Sequence, residues 1–298
     1  MQRSVLVPAL VLGVCTGLLA MSPAIAQETT PSPLVKVTRD IVYATAKHEV
    51  IALDAYVPVA KTTKRPAILL VHGGAWRGGD KSDFVDDGMA LAELGYVAFS
   101  VNYRLTPQHP YPAAVDDVKA AVRWVRAPAQ VKKFAIDPMR IGAVGASAGG
   151  HLVGMLATLG HGSLEKGARI KAAVSWSGPM DFRLWPLPLL AGTALGVDVL
   201  SFLNCPPGDT TCANVTKASP TTYVDQTDAP MLLANSDNEL VGLNHATTMD
   251  AALKAAGVVE QLVVYPGDRH AQAYADDIWP QTVAFLEQYV GQPPVAQS

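Results

Sequence analysis

Six short runs along the chain are apolar on nearly every residue: PAILLVH (66–72), YVAFSVN (96–102), RIGAVGA (140–146), IKAAVSWS (170–177), PMLLANS (230–236) and QLVVYP (261–266). Runs of this length without polar alternation fit strands buried on both faces, as in a parallel sheet covered by helices. Between them lie helix candidates near 82–94, 113–127, 148–159, 244–256 and 276–290. The order strand, helix, strand, helix predicts right-handed crossovers and a doubly wound, mostly parallel α/β sheet. Ligands of such sheets bind beyond the carboxyl ends of the strands, so any chemistry is expected just after these runs. Upstream, the β-rich segments 42–45 and 50–57 flank Lys47-His-Glu and predict an antiparallel hairpin.

One interval breaks the rhythm. Residues 183–218 separate two predicted strands by more than a crossover needs, and carry Trp185, Pro186, Pro188 and two cysteines. An insertion of that length at the ligand end of a sheet is expected to form a cap or pocket wall. Otherwise no linker or repeat divides residues 27–298, which read as a single domain.

The first residues add a compartment. Arg3, a mostly apolar run from Val5 to Met21 and the small-residue pattern Ala24-Ile-Ala26 read as a secretory signal peptide over residues 1–26. The mature chain is then expected to be periplasmic or extracellular, with no membrane span. Cys15 would leave with the signal, so Cys205 and Cys212 remain as a pair, which in an exported chain predicts a disulfide. The formal net charge is −3 and only 16% of residues are charged. No basic run supports a nucleic-acid surface. Oligomeric state is not legible.

The candidate chemistry begins at Gly145-Ala-Ser147-Ala-Gly149, directly after one apolar run and before a helix. A serine in G-x-S-x-G on a strand-to-helix turn presents its hydroxyl as a nucleophile. The next backbone N–H, from Ala148, would sit at a helix N-terminus and meet a developing oxyanion. His72-Gly73-Gly74-Ala75-Trp76 follows another run. Gly73 and Gly74 can offer further backbone donors there. His72 reads as a structural histidine of that loop, and Trp76 as a pocket or packing residue. A general base following the serine in the chain falls on His270, after the last strand run. His48, His109, His151, His161 and His245 occupy less suitable places.

Together these segments resemble the α/β-hydrolase fold, and within it the esterase/lipase group related to hormone-sensitive lipase. The HGG-x-W loop is similar to that of BD-FAE-type carboxylesterases. Asn102-Tyr-Arg-Leu-Thr-Pro107, Tyr111-Pro-Ala-Ala-Val-Asp-Asp117 and Ser219-Pro220 with Thr222-Tyr223 extend the likeness over roughly residues 40–290. The resemblance implies a serine carboxylesterase acting on short or medium acyl esters, acetyl or feruloyl esters among them, through an acyl-enzyme. It implies a small-molecule or glycan ester as substrate, and no cofactor or metal. It also implies that Tyr103 and Asp116 are structural. An arylformamidase-like amide hydrolase and a non-catalytic binding protein of the same fold are the alternatives.

The family's acid position is altered here. It usually reads H-G-x-x-D, and the aspartate slot aligns with Asn238, between Asp237 and Glu239. A neutral amide could not stabilise an imidazolium. Some relatives look like N-S-x-x-E before an apolar pair, which fits Asn235 to Glu239. Glu239 is therefore the expected acid and Asp237 the alternative. Trp76 and Trp185 are the expected pocket residues.

Overall fold

The structure, a computed structural model, describes residues 34–60, 62, 64–185, 192–209 and 211–294. The expected signal peptide lies outside the described residues, as do Pro186 and Pro188 of the long interval. The strands are β1 (Val35–Ala46), β2 (Glu49–Pro58), β3 (Arg65–Val71), β4 (Val97–Val101), β5 (Ile136–Ala146), β6 (Ala173–Trp176), β7 (Met231–Ser236) and β8 (Glu260–Tyr265). They form one sheet in the order β1-β2-β4-β3-β5-β6-β7-β8. β1 pairs antiparallel with β2, and β2 with β4; every other pairing is parallel. The β1–β2 hairpin turns at Lys47 and His48, both with positive φ (49° and 70°). That is the backbone a two-residue hairpin turn requires.

The apolar runs are strands because both of their faces are covered. In β3, Leu69 and Val71 face one core cluster while Ile68 and Leu70 face the other. Helices α1 (Val85–Glu93) and α8 (Ala275–Tyr289) cover the second face. The first is covered by α2 (Ala113–Arg126), α3 (Pro128–Phe134), α4 (Ala148–Thr158), α5 (Ala194–Leu203) and α7 (Leu243–Ala256), with α6 (Ala213–Lys217) beside them. This is the doubly wound architecture of an α/β-hydrolase. Helix α3 was not legible as a separate element: it has seven residues, opens on Pro128 and buries only Phe134.

The long interval packs onto the core rather than standing off it. Val199, Phe202 and Leu203 of α5 are buried. The Phe202 ring stacks on Trp76 at 4.3 Å, and Asp198 pairs with Arg77 at 3.0 Å. Cys205 and Cys212 stand with Cα atoms 5.8 Å apart and their sulfurs side by side.

Asp116 needs a correction. It is exposed, and its nearest cation is Lys119 at 3.9 Å. The structural carboxylate is its neighbour Asp117, which is buried and accepts from Arg104 Nε and Nη2, both at 2.8 Å. The helical repeat turns residue 117 inward toward Val118 and Ala121 and leaves 116 in solvent.

Candidate active site

The turn at Ser147 is forced by close packing of β5, α4 and β3. Ser147 has φ 54° and ψ −117°, a conformation that costs energy for a residue with a Cβ. Its N–H donates to Trp176 O on β6 at 2.7 Å, which ties the turn to the neighbouring strand. A Cβ on Gly149 would stand 1.9 Å from Val71 O, and one on Gly145 would stand 2.4 Å from Gly149 O. The spacing G-x-S-x-G is thus a record of two backbone contacts that leave no room for a side chain.

The loop after β3 packs directly against that turn. A Cβ on Gly73 would lie 3.3 Å from Ser147 Cβ, and Gly74 has φ 99°. Tyr103 holds the loop: its hydroxyl lies 3.0 Å from His72 O and 3.2 Å from Gly73 O. Its ring stacks on His72 at 4.3 Å. Burial pushes the His72 pKa down, so the ring is neutral and its Nδ1 contacts Gly73 O at 2.8 Å. His72 and Tyr103 thus shape the loop. Among the described residues, the N–H groups of Gly73 and Gly74 are not spent on protein acceptors. The Ala148 N–H is the first of α4, with no carbonyl a turn before it. These three residues line the same cavity as Ser147.

Trp76 is almost wholly buried (2% exposed). Its Nε1–H donates to His151 Nδ1 at 3.2 Å, and His151 Nε2 contacts Ala218 O at 2.7 Å. Burial lowers the His151 pKa to about 4, which keeps this ring neutral. Trp76 is therefore both core and pocket floor. Trp185 is half-buried, packs edge-on against His245 at 4.9 Å, and lines the cavity with Leu195.

His270, the expected base, and Glu239, the expected acid, follow the last two strands. His270 caps the short helical turn Ala271–Tyr274. Its Nδ1 contacts Glu239 Oε2. A carboxylate can only accept, so Nδ1 carries the proton and Nε2 is left to take one. The Glu239 side chain is fully buried while that of His270 is 25% exposed. Burial of Glu239 is offset by donors on its other oxygen: Ser177 Oγ, Asn235 Nδ2 and Ser236 N, each at 2.8 Å from Oε1. Asp237, the alternative, points elsewhere. It is exposed and accepts from Gly267 N at 2.8 Å, stapling the β7 and β8 loops together. Asn238, in the usual aspartate slot, donates its N–H to Gly267 O at 3.0 Å.

Sequence reasoning did not name Ser177 or Tyr274. Ser177 directly follows β6 at the ligand edge of the sheet, and that position was the available signal. Asn235 and Ser236 entered only as a pattern around Glu239.

Ser147, His270, Gly73, Gly74 and Ala148 all open on one cavity of about 290 Å³. Its other walls are Ala75, Trp76, Pro179, Trp185, Leu195, Leu240, Val241 and Gln272. Among the described residues none of these walls carries a formal charge, so the space suits an uncharged group. No group of three or more His, Cys, Asp or Glu among the described residues has metal-binding geometry.

The family profile described as BD-FAE matches residues 53–253. The chain belongs to the BD-FAE family. Within reach of this BD-FAE chain are the probable carboxylic ester hydrolase LipM of Mycobacterium tuberculosis, 31% identical over 228 residues, covering 70% of this chain and 50% of that protein. The arylacetamide deacetylase of Bos taurus is 35% identical over 111 residues, covering 36% and 28%. The chain thus spans half or less of the length of these curated relatives. A thermophilic esterase of Thermogutta terrifontis shares the fold, with a TM-score of 0.70 at 23% identity over 89% of this chain and 96% of that one. So does the acetyl ester-xyloside bifunctional hydrolase of Caldicellulosiruptor lactoaceticus, with a TM-score of 0.69 at 24% identity over 85% and 99%. Among the described residues no helix is long and apolar enough to cross a membrane.

Proposed function

We propose that this BD-FAE-family chain is a serine carboxylesterase for short or medium acyl esters of uncharged compounds. The observation that carries the reading is the contact of Glu239 with His270 at the rim of the cavity that Ser147 also lines. Ser147 Oγ attacks the ester carbonyl while His270 Nε2 takes its proton, and Glu239 holds the imidazolium that forms. The N–H groups of Gly73, Gly74 and Ala148 receive the oxyanion. His270 then protonates the leaving alcohol, and water releases the acyl group by the same route. Acetyl esters fit the cavity volume, and the acetyl ester-xyloside hydrolase among the structural relatives makes glycan acetate a reasonable arm of the reading. Feruloyl esters rest only on the resemblance of the HGG-x-W loop to BD-FAE-type carboxylesterases.

We also propose export to the periplasm or beyond, on the strength of residues 1–26 and the Cys205–Cys212 pair. N-terminal sequencing of protein recovered from the periplasm or medium tests it; an intact Met1 there rejects cleavage.

A fluorophosphonate probe tests the chemistry. It is expected to label the wild-type protein at Ser147 and to leave Ser147→Ala unlabelled. Absence of labelling removes the serine-hydrolase reading. p-Nitrophenyl esters from acetate to octanoate, methyl ferulate, acetylated xylo-oligosaccharide and an N-formyl aryl amide then separate ester from amide and small alcohol from glycan.

A further inference from the structure

Ser177 sits where three elements of the site converge. It is the first residue after β6, fully buried, with φ 54°. Its N–H donates to Ala234 O on β7 at 2.7 Å. Its Oγ lies 2.8 Å from Glu239 Oε1, 2.9 Å from Ala271 N and 2.6 Å from the Tyr274 hydroxyl. The Tyr274 hydroxyl in turn reaches Ala234 O at 2.8 Å.

The proton order in this cluster is constrained. Ala271 N–H can only donate, and Glu239 can only accept. A hydroxyl that receives from Ala271 therefore sends its one proton to the carboxylate, the strongest acceptor in reach. Tyr274 is fully buried and its pKa is pushed up, chiefly by that burial, so it stays protonated and acts as a donor. Its proton lies between Ser177 Oγ and Ala234 O. Donation runs from Ala271 to Ser177 and on to Glu239, with the Tyr274 proton shared between Ser177 Oγ and Ala234 O, a cluster in which each bond strengthens the next.

Ala271 is the residue after His270. One hydroxyl thus clasps the loop that carries the base and the side chain that serves as acid. Resting on the serine-esterase reading, we infer that Ser177, supported by Tyr274, is a positioning residue: it fixes which oxygen of Glu239 faces His270 and locks the two loops in register. Neither side chain lines the substrate cavity. Its effect is therefore on turnover rather than on substrate binding. The left-handed backbone at Ser177 also follows from this, since a strained conformation persists where the surroundings require it.

The test uses Ser177→Gly, which removes the hydroxyl while relaxing the positive φ, and Tyr274→Phe as a second variant that keeps the ring. Fluorophosphonate titration first gives the fraction of competent sites. Per competent site, Ser177→Gly is expected to lose about 10- to 100-fold in kcat, the scale of a sub-ångström to ångström displacement of a reacting group, with KM within about twofold. Tyr274→Phe is expected to fall in the same direction by less. The downfield proton resonance of the His270 Nδ1–H should broaden or move in both variants. Wild-type kcat and an unmoved resonance in Ser177→Gly overturn the inference. If that variant does not fold, the same two readings in Tyr274→Phe decide. Failure of the wild type to label at all sinks the esterase reading itself, and the positioning role with it.

Discussion

Glu239 and His270 meet across 31 positions of chain, one from the end of β7 and the other from the end of β8. Two residues before Glu239, Asp237 turns the other way to cap Gly267 N. Glu239→Gln is expected to lower kcat on a p-nitrophenyl ester by up to about 10⁴-fold, because an amide cannot stabilise the imidazolium. Asp237→Asn should stay within about threefold of wild type, as suits an exposed loop carboxylate. The opposite ranking would return the acid role to Asp237.

Gly149→Ala is expected to cost on the order of 3 kcal/mol or more, since its Cβ would stand 1.9 Å from Val71 O. The backbone on both sides belongs to the sheet and helix that carry Ser147, so no flexible group can yield. Gly78→Ala is the control: its Cβ would meet nothing nearer than 4.0 Å. Urea unfolding of both reads the difference, and equal midpoints would contradict it.

Trp185→Ala should lengthen the acyl chain the cavity accepts. The ring lines the cavity together with Trp76. Its removal is expected to raise the kcat/KM ratio of hexanoate to acetate roughly tenfold, the worth of one or two methylenes in an apolar pocket. An unchanged ratio across the ester series would place the acyl group elsewhere.

Acid should weaken the fold through His151. Its folded pKa is lowered from 6.5 to about 4 by burial. As pH falls below 6.5 the unfolded ring takes a proton that the folded ring refuses, so stability declines from there down to about pH 4 and levels off below. His245, lowered to about 4 chiefly by its own burial, acts in the same direction. His151→Gln can still accept from Trp76 and donate to Ala218 O, but does not titrate. Its Tm should therefore depend less on pH between 6.5 and 4 than the wild-type Tm; identical slopes would dismiss His151 as a source.

A Cys205–Cys212 bridge closes a short loop, so chain entropy limits its contribution to about 2.5 kcal/mol. Intact mass of exported protein should show a two-hydrogen deficit. Reduction should lower the Tm while leaving kcat nearly unchanged, because the pair follows the end of α5 and neither cysteine lines the cavity.

The strands and most helices were legible because burial on both faces writes itself into consecutive apolar residues, and crossover length fixes parallel order. The turn at Ser147 was legible because close backbone contacts demand glycine at fixed spacing. Asp116 and Asp117 are adjacent and chemically alike in the sequence, and the helix turns only the second of them inward toward Arg104. Helix α3 was missed because seven residues opening on proline carry too little periodicity to register.

What the sequence alone determined is local: which segments are strands, where the turn at Ser147 falls, and that two neighbouring carboxylates, Glu239 and Asp237, are the candidates to meet His270. What only the tertiary structure decided is which of them contacts His270, and with what support. That choice depends on where the ends of β6, β7 and β8 bring Ser177, Glu239 and Ala271 together, residues as much as 94 positions apart. Hydrogen-bond direction across such separations has no signature in spacing, because it is set by the packing of the sheet and not by the order of the chain.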